Sequence, residues 1–175
     1  MDGVQTHIHN TENASVEEIE VTYPFRLRQV SLIPDSEGPG TYRGGLGVRR
    51  DYWFPDHPVR FSILSDRAVF PPWGLLGGQP ARTAHYVRDP DGAATELNSK
   101  VTVGLSPGEI ISVQTPGGGG YGPAEARDPQ AVARDVRLGK VSAERARSVY
   151  RVALGPDGAV DEQATSTARR KNTDG

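Results

Sequence analysis

Apolar and polar residues alternate over short stretches through the first two thirds of the chain and recur at helical spacing only later. The alternation is cleanest at residues 48–54, where Val48, Arg50, Tyr52 and Phe54 share one face and Arg49, Asp51 and Trp53 the other. A second clean stretch puts Val59, Phe61 and Ile63 on one side and Arg60 and Ser62 on the other. Pro55-Asp56-His57-Pro58 separates the two, so the pattern predicts an antiparallel hairpin. Further strands are predicted at residues 25–33, 84–88, 100–103 and 109–114, with turn chemistry at 35–40, 89–92 and 106–108. This is a mainly β (α+β) pattern, an antiparallel β-sandwich or open barrel. Pro71-Pro72-Trp73-Gly74-Leu75-Leu76-Gly77-Gly78 holds too much glycine and proline for a regular element. A compact loop is expected there, with Trp73 and the leucines packed inward.

Helical signals stand at both ends of this β region. Ser15-Val16-Glu17-Glu18 fits a capping box for a short turn of helix that Tyr23-Pro24 ends. Asp128-Pro129 supplies an N-cap and an N1 proline for a helix carrying Val132, Ala133 and Val136, and Gly139 suits its C′ position. Ser142 caps a second helix with Ala143, Ala146, Val149 and Tyr150, which completes a C-terminal helical hairpin. The organisation expected is a β-rich domain over 1–122 with an N-terminal His-containing segment, a helical hairpin over 123–155, and a disordered tail over 156–175.

Gly 21 and Pro 14 in 175 residues suit a loop-rich β domain, so composition supports the pattern. Twenty basic against 22 acidic residues leave a net charge of −2, which argues against nucleic acid or an anionic membrane surface as the main partner. No apolar run is long enough to span a bilayer, and the first residues lack a signal-peptide core, so a cytoplasmic protein is expected. The absence of cysteine excludes disulfides, thiolate metal sites and a Cys nucleophile.

Candidate chemistry is sparse. Thr115-Pro116-Gly117-Gly118-Gly119-Gly120-Tyr121-Gly122-Pro123 formally contains the dinucleotide spacing Gly117-x-Gly119-x-x-Gly122. Pro123 and the charged residues after it stand where a helix would have to begin, so a tight turn between sheet and helices is the better reading. His7 and His9 in Thr6-His7-Ile8-His9-Asn10 would project to one side of an extended segment, as two metal ligands or an acid–base pair require. Ser65-Asp66-Arg67 offers an Asp–Arg pair that either orders the neighbouring loop or binds a carboxylate or phosphate through the guanidinium fork.

Taken in order, the unusual loops resemble those of the hydantoinase B/oxoprolinase family. They are His7-Ile8-His9-Asn10-Thr11, Tyr23-Pro24, Pro34-Asp35-Ser36-x-Gly38-x-Gly40-x-Tyr42-Arg43-Gly44-Gly45-Leu46-Gly47-Val48, Leu64-Ser65-Asp66-Arg67, the Pro71–Gly78 loop, Ser99-Lys100-Val101-Thr102 and the glycine run itself. Glu12 and His9 depart from residues common in the family. The resemblance covers roughly residues 4–155 and only the C-terminal part of a longer B-type subunit. It implies a non-autonomous subunit of an ATP-dependent cyclic-amide hydrolase, or of a related ketone carboxylase, or a purely structural module of such a complex. The partners it implies are an ATP-binding A-type subunit and an N-terminal B-type half on another chain, with a small cyclic amide or ketone as substrate. ATP and a divalent metal would belong to the full complex rather than to this chain alone. The residues it points to are His7, His9 and Asn10 for catalysis and Asp66 and Arg67 for substrate contact, and an apolar docking surface for the N-terminal half is expected.

Overall fold

The computed structural model describes residues 2–3 and 14–170. Helix α1 (Val16–Thr22) starts where the Ser15 hydroxyl accepts the Glu18 N–H at 3.2 Å. It ends as Tyr23, forced extended by Pro24, leaves the helical region. Seven strands follow: β1 (Arg26–Leu32), β2 (Val48–Trp53), β3 (Val59–Leu64), β4 (His85–Arg88), β5 (Thr95–Glu96), β6 (Lys100–Leu105) and β7 (Ile110–Gln114).

All pairings between these strands are antiparallel. An open five-stranded sheet has the order β1-β2-β7-β4-β5, and β3 and β6 form a separate two-stranded ribbon. The ribbon lies on one face of the sheet, and the apolar side chains of each strand meet between the layers. Phe54, Leu105 and Ile111 are buried there, with Phe25, Tyr52, Val59, Phe61, Val103 and Val113 packed round them. Tilted and edge-on aromatic pairs, Tyr52–Phe61 and Phe54–Phe61, both at 6.2 Å between ring centroids, tie the two layers.

The predicted hairpin does not form. Both edges of β2 are taken, with Tyr52 standing between Leu27 of β1 and Ile111 of β7. Gly108 N–H to Phe54 C=O at 2.6 Å carries the β2–β7 pairing beyond the strand end. The Pro55–Pro58 segment therefore lifts the chain into the second layer, where β3 pairs with β6. Alternation says which face of a strand is apolar, but that face fits a layer above as well as a neighbour alongside.

Beyond β7 a 3₁₀ turn (Ala124–Ala126) leads to α2 (Pro129–Arg137) and α3 (Ala143–Ser148). Asp128 and Ser142 cap them as expected, and Gly139 takes φ +66 after α2. Val132, Val141, Ala146, Tyr150 and Val152 form a second core. The expectation of disorder from residue 156 is corrected over 156–170. A bridge joins Leu154 to Val160, and α4 (Glu162–Arg170) packs on the helical pair. Its sequence has no apolar stripe, because its buried anchor is Thr165, whose hydroxyl accepts the Ala153 N–H at 3.0 Å. Among the described residues no helix is long and apolar enough to cross a membrane.

Candidate functional site

The glycine run is not a simple turn. Residues 117–122 run between two other glycine-rich segments, 36–45 and 73–79, and the three pack backbone against backbone. Gly38 N–H donates to Gly118 C=O at 2.8 Å and Gly118 N–H to Gly45 C=O at 2.8 Å. On the other side Gly120 N–H donates to Gln79 C=O at 3.0 Å and Leu75 N–H to Gly120 C=O at 2.9 Å, while Gln79 N–H reaches Pro39 C=O at 2.8 Å. A Cβ on Gly119 would overlap the Trp73 carbonyl, and one on Gly120 the Pro39 carbonyl, so close approach rather than unusual φ demands glycine at both. The N–H groups of Gly118, Gly120, Tyr121 and Gly122 are all donated to backbone carbonyls. These four are therefore not presented to a phosphate, which a dinucleotide cradle would require.

This bundle holds its flanking loop outward. Trp73 is 67% exposed and Leu76 73%, contrary to the inward packing expected. Leu75 pairs with Tyr121 in a β-bridge, Tyr121 with Tyr42 in another, and the two tyrosine rings lie 6.2 Å apart. Leu64, Val69 and Phe70 are exposed next to the loop in sequence, and the Val69 and Phe70 N–H groups both fold back on the Asp66 carbonyl. The leucines cannot turn inward because their backbone is committed to the glycine segments, a constraint that hydropathy does not register.

His7, His9 and Asn10 lie outside the described residues. Asp2, five residues before His7, is bound from three sides. Asp2 accepts from Arg43 Nη1 at 2.6 Å, Lys140 Nζ at 2.9 Å and the Leu46 N–H at 3.2 Å. Arg43 also donates to Asp135 at 2.9 Å, and Asp135 accepts from Arg127 at 2.9 Å. The Arg43 guanidinium holds the Asp2 carboxyl well below the usual carboxylate range. At Asp135 burial works in the opposite direction, and the hydrogen bond and charge of Arg43 overcome it.

Asp66 and Arg67 do not pair with each other. Asp66 meets Lys100 Nζ at 3.0 Å across the start of β6, and the Arg67 guanidinium carbon sits 5.4 Å from the centre of the Trp73 ring. Arg67 has no ion-pair partner among the described residues.

A second polar array was not singled out by sequence. On the sheet face opposite the ribbon, Ser31, Arg49, Gln114 and His85 lie side by side across four strands. Beside this row Asp51, 2% exposed, is gripped by Arg49 at 2.6–3.1 Å, and Ser112 is buried next to it. His85 Nδ1 meets Glu96 at 2.8 Å and Arg82 reaches Gln114 at 3.2 Å. The period-two pattern did place Arg49 and Asp51 on one face, but the pairing that brings Gln114 and His85 alongside joins distant parts of the chain. Among the described residues no three His, Asp or Glu side chains converge so as to hold a metal ion, so the described part does not fit the divalent metal that the family implies.

The sequence and the fold have known counterparts. The family model described as hydantoinase B/oxoprolinase matches residues 1–124, and the chain belongs to that family. It is 43% identical over 121 residues to 5-oxoprolinase 1 of Arabidopsis thaliana, covering 69% of this chain and 10% of that protein. It is 32% identical over 162 residues to caprolactamase subunit beta of Pseudomonas jessenii, covering 90% of this chain and 28% of the relative. The crystal structure of the ATP-dependent caprolactamase from the same organism matches 89% of this chain and 28% of its own with a TM-score of 0.79 at 28% identity. A nucleotide-free acetone carboxylase shares the fold, with a TM-score of 0.78 at 24% identity over 94% of this chain and 27% of its own. The chain thus spans under a third of the length of each of these proteins.

Proposed function

We propose that this chain is a non-autonomous B-type component of an ATP-dependent cyclic-amide hydrolase. It acts with an ATP-binding A-type subunit and with the N-terminal B-type portion it does not itself span. The observation that carries the reading is its match along nine tenths of its length to caprolactamase subunit beta, of which it supplies little more than a quarter. Hydrolysis is favoured over ketone carboxylation because relatives above 30% identity carry hydrolase names, whereas the carboxylase likeness is one of fold. His7 and His9 serve as proton-transfer groups beside the substrate, with Asn10 orienting it. In sequence they follow, by five to eight residues, Asp2, which Arg43 and Lys140 hold.

Arg67 contacts the substrate. Stacked on Trp73 and not bound to Asp66, its guanidinium keeps N–H groups to offer a carboxylate. Asp66 sets its position through the turn that receives Val69 and Phe70.

The test is reconstitution with the A-type subunit and the N-terminal B-type portion, followed by ATP-dependent ring opening of 5-oxoproline, hydantoin and caprolactam. His7→Ala and His9→Ala are expected to abolish turnover with assembly intact. Unchanged turnover would leave a structural module in place of the catalytic role. Arg67→Lys is expected to raise KM for 5-oxoproline, which bears a carboxylate, and not for caprolactam, which has none.

A further inference from the structure

The loop at residues 75–78 breaks a rule of turn chemistry. Leu76 has φ +48 and Gly77 φ +87, and Gly78 N–H closes the turn on Leu75 C=O at 2.9 Å. Two consecutive positive φ values with that closure are the signature of a type I′ turn, whose first central position favours Asn, Asp or Gly. Leucine there carries backbone strain, and its side chain gains nothing from this chain in return, since Leu76 is largely exposed. The strain stabilises nothing within the described fold. A leucine held in that conformation by a rigid glycine bundle is a preorganised contact for something else.

Its surroundings say what kind of contact. Exposed Tyr42 is tied to Leu75 through Tyr121, exposed Trp73 precedes Leu75 by two residues, and exposed Leu64 and Phe70 lie earlier on the same connection, so the shelf is apolar and aromatic, the composition of an interface centre. The occupant is a protein surface, and relatives matched along this chain's length have more than two thirds of their own sequence outside the match.

We infer that the shelf centred on Leu76 and Trp73 is the seat of the remaining portion of the B-type subunit, an apolar protein face that closes over the glycine bundle. The inference rests on the function proposed above and specifies where that partner sits.

The probe is Pseudomonas jessenii caprolactamase subunit beta from which the region matched by this chain has been removed. Its association with the full chain is followed by sedimentation velocity and titration calorimetry. Leu76→Asn gives the turn the residue it prefers, so the chain alone should melt at the same or a higher temperature while binding weakens. With Trp73→Ser added, binding is expected to fall roughly 100-fold, the loss of two anchor residues. A complex that forms equally well with both variants overturns the shelf as the seat but leaves the proposed function standing. No complex at all, or wild-type self-association that Leu76→Asn abolishes, overturns the inference in favour of an unused face or a second copy. A complex that depends on the shelf, yet shows no ATP-dependent ring opening when the A-type subunit is added, leaves the seat in place and removes the function.

Discussion

Replacing Gly119 by alanine tests the glycine bundle directly. The added methyl would stand 2.5 Å from the Trp73 carbonyl carbon and 3.1 Å from the Gly74 nitrogen, against an ordinary contact of 3.4–4 Å. Both neighbours are backbone, so no side chain can swing aside. Separating the segments enough to admit the methyl strains or breaks the Gly118–Gly45, Gly120–Gln79 and Leu75–Gly120 hydrogen bonds. Overpacking costs about 1–3 kcal/mol and each buried backbone group left unpaired about 1–3 kcal/mol. With one such group left unpaired, the total is about 4 kcal/mol, a large share of a typical stability of about 5–15 kcal/mol. For a chain of this size that lowers Tm by roughly 10 °C. Gly104→Ala is the matched control, because a Cβ there meets nothing within 4 Å and the backbone is not in the left-handed region. Thermal unfolding followed by circular dichroism should separate the two variants widely. If Gly119→Ala and Gly104→Ala melt together, the close-approach argument is wrong.

Tyr150→Phe removes the hydroxyl that donates to Glu37 at 3.0 Å inside a wholly buried pair, and urea unfolding should show a loss of about 1–3 kcal/mol. Asp2 is bound by Arg43 more tightly than it would be unfolded, so its contribution is present above the unfolded carboxylate pKa of about 4 and is lost as pH falls below it. Asp2→Asn should therefore lower stability at pH 7, with the gap to wild type closing below about pH 4 in pH-resolved melts. Thr165→Val keeps the shape but removes both hydroxyl bonds to Ala153; limited proteolysis should then release α4 while the glycine bundle stays resistant.

Much of the fold was legible because strand alternation and capping are local. The 48–54 and 59–63 patterns both mark real strands, and Asp128 and Ser142 cap the helices assigned to them. What was not legible is decided across the chain. The partner of β3 depends on β7 having already filled the free edge of β2. Trp73 faces outward because its own carbonyl is pressed against Gly119. The helix at Glu162–Arg170 is invisible to periodicity because a threonine hydroxyl, not an apolar stripe, seats it. The glycine run was conspicuous in sequence, but its purpose required seeing two other glycine segments, one upstream of β2 and one upstream of β4, arrive on either side of it.

The tie between Glu37 and the C-terminal helices has a consequence for how the protein is made. Glu37 precedes its partners Arg145 and Tyr150 by 108 and 113 residues. At a synthesis rate of about 5–20 residues per second, the loop that bears it waits roughly 5–20 s for them to be translated. Until residues 117–122 have been made the first glycine segment has no third member to pack against, and until Arg145 and Tyr150 follow a carboxylate bound for the interior stays in water. Contacts this distant in sequence make for slow folding and a long exposure of unpaired backbone. Production of this chain should therefore depend on chaperones more than its length would suggest, and truncations before residue 150 should accumulate as insoluble protein.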